Sequence, residues 1–239
     1  MITGIVVALP EELSTLTSKR IDKGHCVFIA DKVLVAYSGA GAKNATTAAE
    51  LLINKGATQL ISWGCAAALD MRLKPGDLTL ADNLIDVDDT EIAINSSWRE
   101  YANNLLAPYL KIHTGSLTES TNIISSSREK LHLQLITEAI ALDMESVAIA
   151  KAAIKKNLPF LAIRAIVDPA DMDMPRAVSY AANAEGDIVL SRLLLFIFLH
   201  PAELLGLIRL GVYFNAAKST LKQVAKTLDV LTDFSNMPK

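Results

Sequence analysis

Four carboxylates sit where this chain's apolar runs break off: Glu12, Asp143, Glu145 and Asp168. The run ending at Leu142 stops at Asp143-Met144-Glu145, where a helix is predicted to open and run to about Lys156. A second buried run, 160–167, ends at Asp168. Carboxylates just past strand ends can accept hydrogen bonds from a ligand, and one that burial keeps protonated can act as an acid. The pattern predicts two neighbouring parallel strands with an acidic corner beyond each carboxyl end, where open α/β sheets hold ligands. The same residue types have a plainer use. Asp143 can cap a helix, Glu145 can complement the helix dipole, and Asp168-Pro169 can form a turn. Residue type and spacing leave both readings open.

Other chemistries find less support. His25, His113, His132 and His200 are scattered, Cys26 and Cys65 lack metal-type spacing, and no His-Glu-x-x-His is present, so no metal site is expected. A Gly-x-Ser-x-Gly elbow is absent. Gly39-Ala40-Gly41 starts a dinucleotide fingerprint, but Asn44 stands at its third glycine and no ribose-binding acid follows, so no redox cofactor is expected. The net charge is −3 and aromatics are 5%, which excludes a basic or base-stacking surface for nucleic acid.

The elements that must position the carboxylates follow from the hydrophobic pattern. At 239 residues and 51% hydrophobic, the chain suits one α/β domain over 1–239, with an extra apolar helical part at about 190–239. Residues 2–8 read as a first strand, and Pro10-Glu11-Glu12 as the first turn of a helix. A hairpin is predicted over 26–37, a small-residue loop over 38–42 and a helix over 44–54. A strand over 59–63 is followed by a predicted loop, Gly64-Cys65-Ala66-Ala67-Ala68. A turn at Pro75-Gly76-Asp77, a strand over 78–85, a loop or lid over 86–97, a helix over 98–106, a strand over 111–117 and a helix within 125–138 lead back to Asp143. Strands alternating with helices predict a three-layer α/β fold: a central mixed β-sheet flanked by helices on both faces. Arg164 and Asp168 share the parity of one strand, so their side chains are expected on one face. The N-terminal run has no basic leader pattern and the two thiols lie in apolar runs, so a cytoplasmic location with reduced, buried cysteines is expected.

In order along the chain come Gly4-Ile-Val-Val-Ala-Leu-Pro-Glu-Glu12, Ser38-Gly-Ala-Gly41, Gly64-Cys-Ala-Ala-Ala68, Pro75-Gly-Asp77, Asp143-Met-Glu145 and Arg164-Ala-Ile-Val-Asp168-Pro-Ala-Asp171. This ordered set resembles the nucleoside phosphorylase family, which includes purine nucleoside phosphorylases and the methylthioadenosine/S-adenosylhomocysteine nucleosidases. Leu142-Asp-Met-Glu-Ser146, Leu158-Pro-Phe-Leu161 and His200-Pro-Ala-Glu-Leu204 resemble most the hopanoid-associated branch, implicated in removing adenine from adenosylhopane.

The resemblance implies cleavage of the N-glycosidic bond of a purine nucleoside, with a 5′-modified adenosine as substrate. It implies that Asp168 protonates N7 of the base and that Glu145 holds the ribose hydroxyls, with Met144 against the sugar. Glu12 would position the attacking water. Arg164 is either a structural ion-pair partner, for Glu12, or a direct ligand. Cys65 and Ala66 stand in a segment where the family carries Ser/Thr-Ala-Gly-Gly. Ile123 falls where nucleosidases stack an aromatic on adenine, and is otherwise an ordinary core residue. Glu12, and Ser62 in place of a phosphate-binding arginine, favour water as nucleophile, whereas the branch favours phosphate as a co-substrate. The family also implies a homo-oligomer. The apolar segment 193–214 either packs internally or between subunits, or lines a route for a greasy 5′-substituent and touches the membrane surface. The alternative of another class is a non-catalytic nucleoside- or lipid-binding protein, supported by the altered 65–68 segment.

Overall fold

A computed structural model describes residues 1–94, 96–181 and 190–233. Strand β1 (Thr3–Val7) leads to helix α1 (Pro10–Leu16), and strands β2 (His25–Ala30) and β3 (Val33–Tyr37) precede α2 (Ala42–Asn54). Strands β4 (Gln59–Ala68), β5 (Leu78–Ile85) and β6 (Glu91–Ala93) come before α3 (Ser96–Leu106). Then follow β7 (Ile112–Glu119), α4 (Ser127–Thr137), β8 (Ala141–Asp143), α5 (Ser146–Ile154) and β9 (Phe160–Asp168). Helices α6 (Arg176–Ala181), α7 (Leu190–Leu199), α8 (Glu203–Ala225) and α9 (Leu228–Thr232) end the described chain.

The expected α/β architecture is present. Alternation along the strands sends one set of side chains to each face. Val6, Leu60, Ala162 and Ile166 pack under α2 and α5, whose alanines (Ala45, Ala48, Ala49, Ala150, Ala153) let the two helices lie close. Ile5, Val7, Ile61, Trp63, Leu161 and Ile163 pack under α1, α3 and the second half of α8. Trp63 Nε1 donates to Thr15 Oγ1 at 3.0 Å, which fixes α1 on β4.

Among the described residues the sheet has nine strands in the order β2-β3-β1-β4-β8-β7-β5-β6, with β9 between β4 and β5. Pairing therefore closes on itself around β4, β8, β7, β5 and β9. Strand β9 runs along one edge of β4, from Leu60 to Ala67. The other edge is shared: β1 pairs with it from Gln59 to Trp63, and β8 only at Ala67 and Ala68. At Gly64–Ala66 the ladder is open on that edge, between the diverging ends of β1 and β8.

Several expectations are corrected here. Strands β8 and β9 are neither neighbours nor parallel: β4 lies between them, parallel to β9 and antiparallel to β8. The predicted loop at Gly64–Ala68 is the second half of β4, held in strand form by β9 along one edge and by β8 at Ala67 and Ala68 on the other, despite its small side chains. The polar 86–97 stretch contains β6, paired antiparallel to β5, and the start of α3. Cys26 and Cys65 are free thiols as expected, but half-buried rather than buried. The apolar C-terminal part divides in two. Ala217, Leu221 and Val224 of α8 are core, while Leu194, Leu195, Phe198 and Leu199 of α7 and Leu205, Ile208 and Val212 of α8 face solvent. Among the described residues no helix is long and apolar enough to cross a membrane.

Candidate active site

The opening in the ladder beside Gly64–Ala66 is where the charged side chains collect. Glu12 enters from the first turn of α1. Its Oε2 accepts from the amides of Leu9 (3.0 Å) and Ala8 (3.3 Å), so it caps the helix it belongs to. Its Oε1 crosses to the strand and accepts from Cys65 N at 2.7 Å. That amide lies on the edge of β4 that neither β1 nor β8 covers. Gly64 makes the approach possible: a Cβ there would stand 2.5 Å from Glu12 Oε1 and 2.6 Å from Arg164 Nη1.

Arg164, on β9 and 2% exposed, is the hub. Its Nε lies 2.6 Å from Asp143 Oδ2, and its Nη2 lies 3.7 Å from Glu145 Oε2. Nη2 also donates to Ser62 Oγ at 2.5 Å, and Nη1 to the Cys65 carbonyl at 3.4 Å. Ser146 Oγ donates to Asp143 Oδ2 and accepts from Ser62 Oγ at 3.0 Å. Planar guanidinium geometry suits this several-sided pairing, which an ammonium could not make. Asp143 caps the helix, as its plainer reading has it, and its carboxylate is engaged by Arg164: its Oδ1 accepts from Glu145 N (3.2 Å) and Ser146 N (3.0 Å) at the start of α5.

Glu145 is tied to a third segment. Its Oε1 accepts from Gly41 N at 2.9 Å, where the loop after β3 turns through positive φ at Gly39 and Gly41. Burial pushes the Glu145 carboxyl up to about 7; Arg164 opposes the rise, and the negative charge of Asp143 adds to it. Burial also raises Glu12, against the pull of Arg164 and of its three amide donors. The Cys65 thiol is held well above the ordinary thiol range by burial, with Glu12 beside it adding to the effect. Cys65 thus serves through its backbone: the N–H goes to Glu12 and the carbonyl to Arg164.

Asp168 ends β9, opposite Ala67 of β4, after a register shift. It is 1% exposed, and burial raises its carboxyl above the usual range, with Lys130 opposing. Lys130 Nζ, from α4, stands 2.6 Å from Asp168 Oδ1. Nζ also donates to the carbonyls of Pro169 (2.9 Å) and Met172 (2.8 Å), and apart from this ion pair Asp168 has no side-chain partner among the described residues. The sequence gives little sign of Lys130, since a lysine on a short helix is usually solvated.

Of the predicted site residues, Glu12, Glu145, Arg164 and Cys65 meet directly at the open ladder. Met144, half-buried, lies between Asp143 and Glu145. Ala66 is 3% exposed and packs in the core beside Ile166, so its side chain belongs to the core cluster under α2 and α5. Ile123 is not a core residue: it is 36% exposed, whereas its neighbour Ile124 packs against Leu69, Ile85 and Leu142. The loop that carries Ile123 is stitched to the loop after Asp168, through Met174 N to Ser125 O (2.7 Å) and Ser127 N to Asp173 Oδ1 (2.7 Å). A separate surface recess lined by Ile92, Ile94, Ala150, Ile154 and Phe160 shares no residue with this cluster.

Comparison with known proteins adds the family. Residues 3–194 match the model of the phosphorylase superfamily. The chain belongs to the phosphorylase superfamily. A 5′-methylthioadenosine/S-adenosylhomocysteine nucleosidase of Staphylococcus aureus (strain JH9) is 28% identical over 197 residues, covering 70% of this chain and 86% of the relative. The fold resembles that of the Helicobacter pylori 5′-methylthioadenosine/S-adenosyl homocysteine nucleosidase, solved with a pyrrolidine ligand: TM-score 0.71, 20% identity, 97% of each chain covered. It also resembles the native structure of futalosine hydrolase of H. pylori strain 26695, with TM-score 0.69, 20% identity and 97% of each chain covered. In this superfamily member, the match spans every strand of the sheet and all the charged groups described above.

Proposed function

We propose that the chain cleaves the N-glycosidic bond of a purine nucleoside by hydrolysis, with a 5′-modified adenosine as substrate. The observation that carries this reading is Asp168: a buried carboxyl that meets only Lys130, at Oδ1, and whose Oδ2 has no partner among the described residues. Buried polar atoms are rarely left unpaired, and here the free capacity suits donors and acceptors of a purine. Burial favours the protonated form, which an acid must have before it can donate.

In the proposed reaction the Asp168 O–H bond breaks and its proton goes to N7 of the base. The electron pair of the C1′–N9 bond leaves with the purine, and positive charge spreads over C1′ and the ring oxygen. Glu145, as a carboxylate, accepts hydrogen bonds from the two ribose hydroxyls while Met144 packs on the sugar. Water, oriented by Glu12, attacks C1′; its O–H bond breaks as Glu12 takes the proton, and release of that proton to solvent is balanced by reprotonation of Asp168. Arg164 does not touch substrate in this scheme: its pairing with Asp143 and Glu145 and its charge beside Glu12 hold the carboxylates in place.

Two features support hydrolysis over phosphorolysis. Ser62 is engaged by Arg164 and Ser146 and leaves no arginine at that position for phosphate. Arg164, the cation at that opening, is already paired with Asp143 and Glu145 and is not offered to an anion. An apolar 5′-substituent, as in adenosylhopane, is supported by the solvent-facing Leu204 and Leu205 of α8, next to Glu203, which pairs with Arg176 just past the Asp168 loop at 2.8 Å. The test is adenine release from 5′-methylthioadenosine and from longer 5′-alkyl analogues, with and without phosphate. Free 5′-substituted ribose without phosphate is the expected product. Strict phosphate dependence with a ribose 1-phosphate product would replace water by phosphate, and no release from any analogue would favour a binding protein.

A further inference from the structure

Lys130 is 0% exposed, yet the chemistry above gives it no task. Burying an ammonium costs several kcal/mol unless it is paired and hydrogen-bonded, so its position calls for a physical reason. Two of its contacts are the carbonyls of Pro169 and Met172, which lie in the loop that leaves β9. The third is Asp168 Oδ1 at 2.6 Å. The charged groups that face Asp168 are Lys130 from α4 and, from its own loop, Asp173, whose negative charge acts in the opposite sense. Asp173 is itself held by Ser127 N at the start of α4, so one helix supplies the cation and anchors the anion.

We propose that Lys130 is the positioning residue of the acid: it fixes the Asp168 carboxyl and supplies the counter-charge for the carboxylate left after proton donation. This rests on the reading of Asp168 as the acid. A buried carboxyl with no cation nearby would stay protonated but would release its proton reluctantly, because the product is an unpaired buried anion. A cation at 2.6 Å removes that obstacle while the ordered carbonyls keep the ammonium from swinging away. Oδ2 then remains without a partner among the described residues, since the lysine meets the carboxyl at Oδ1 and spends its two other N–H groups on the backbone.

The experiment compares Lys130→Met, Lys130→Gln and Lys130→Arg with the wild-type chain, using 5′-methylthioadenosine and reading kcat and KM from about pH 5 to pH 9. Gln retains two N–H donors for the two carbonyls, so it preserves the tether if Met does not fold. Without the cation, Asp168 holds its proton more tightly. The alkaline limb of kcat is therefore expected to move up by about one pH unit or more in the neutral variants. Their kcat is expected to fall about tenfold or more, with KM changed less than about twofold. Arg is expected to return the limb to its wild-type position. A folded neutral variant whose limb does not move, and which loses only melting temperature, would overturn the proposal and leave Lys130 a structural tether. Asp168→Asn separates the two failures. If that variant loses activity while the limb of Lys130→Gln stays put, only the role of Lys130 falls; if Asp168→Asn keeps the wild-type rate, the acid assignment itself falls.

Discussion

Replacing Glu145 by glutamine separates what the carboxylate cluster does for catalysis from what it costs the fold. Glu145 is 7% exposed, and burial, only partly opposed by Arg164, carries its carboxyl from 4.5 up to about 7. A raised carboxyl pKa means that the folded chain holds the proton more tightly than the unfolded chain does. Ionised Glu145 therefore lowers stability. The loss is absent below about pH 4.5, grows as pH rises from there to about 7, and is complete above that. The gap corresponds to roughly 3 kcal/mol. Glutamine has the shape of the protonated acid and carries no charge, and Arg164 keeps its closest partner, Asp143 at 2.6 Å. Glu145→Gln is thus expected to be more stable than wild type at about pH 8, by up to roughly 3 kcal/mol, and equal to it near pH 4.5. Equilibrium denaturant unfolding across that range measures it. Activity is expected to move the other way. Losing a charged acceptor for sugar hydroxyls costs about 1.5–3 kcal/mol, or roughly ten- to a hundredfold in kcat/KM, mostly through KM. A Glu145→Gln chain that is less stable than wild type at about pH 8, or equally displaced at every pH, would refute the argument.

Gly64→Ala would force a methyl between Glu12 Oε1 and Arg164 Nη1, and a loss of about 1–3 kcal/mol with a fall in kcat is expected from unfolding and rate measurements. Arg164→Met leaves Asp143 without its closest ion-pair partner and removes the cation from Glu145 and Glu12; a loss of about 3–5 kcal/mol is expected, not rescued by Arg164→Lys, as thermal unfolding would report. Phe198→Ser, at a side chain 83% exposed, is expected to change stability by no more than about 0.5 kcal/mol in the monomer. A larger loss, read by unfolding at several protein concentrations, would mean that α7 is covered in solution.

The fold was legible where hydrophobic pattern and length agree. The runs at β1, β3, β5 and β9 are apolar and β-branched, and the alanine-rich segments of α2 and α5 carry a helical period. It was less legible where partners decide. Gly64-Cys65-Ala66-Ala67-Ala68 has the composition of a loop and becomes strand because β9 and β8 bond to it. The three-residue strand β6 is too short for an alternating pattern to stand out. That β4 separates β8 from β9 is a non-local fact that no window of sequence contains. The same holds for the site. Glu12, Glu145 and Arg164 stand out as charges beside apolar runs, whereas Ser62 and Ser146 matter only because the fold brings both hydroxyls to one guanidinium. Lys130 is hidden for the same reason: its partner lies past the end of another element.

The placement of β9 has a consequence for how the protein is made. It is the last strand among the described residues, yet it lies between two earlier ones, β4 and β5. A nascent chain that has emerged only to residue 159 has its other strands but leaves one edge of β4 and one edge of β5 open, and such edges invite pairing with other chains. Arg164 and Asp168 arrive on that same strand. Synthesis of one short segment therefore closes the ring, removes the exposed edges and delivers the cation and the acid together. Pairing of this segment is thus what turns an open sheet into a closed one and brings Arg164 and Asp168 to their partners.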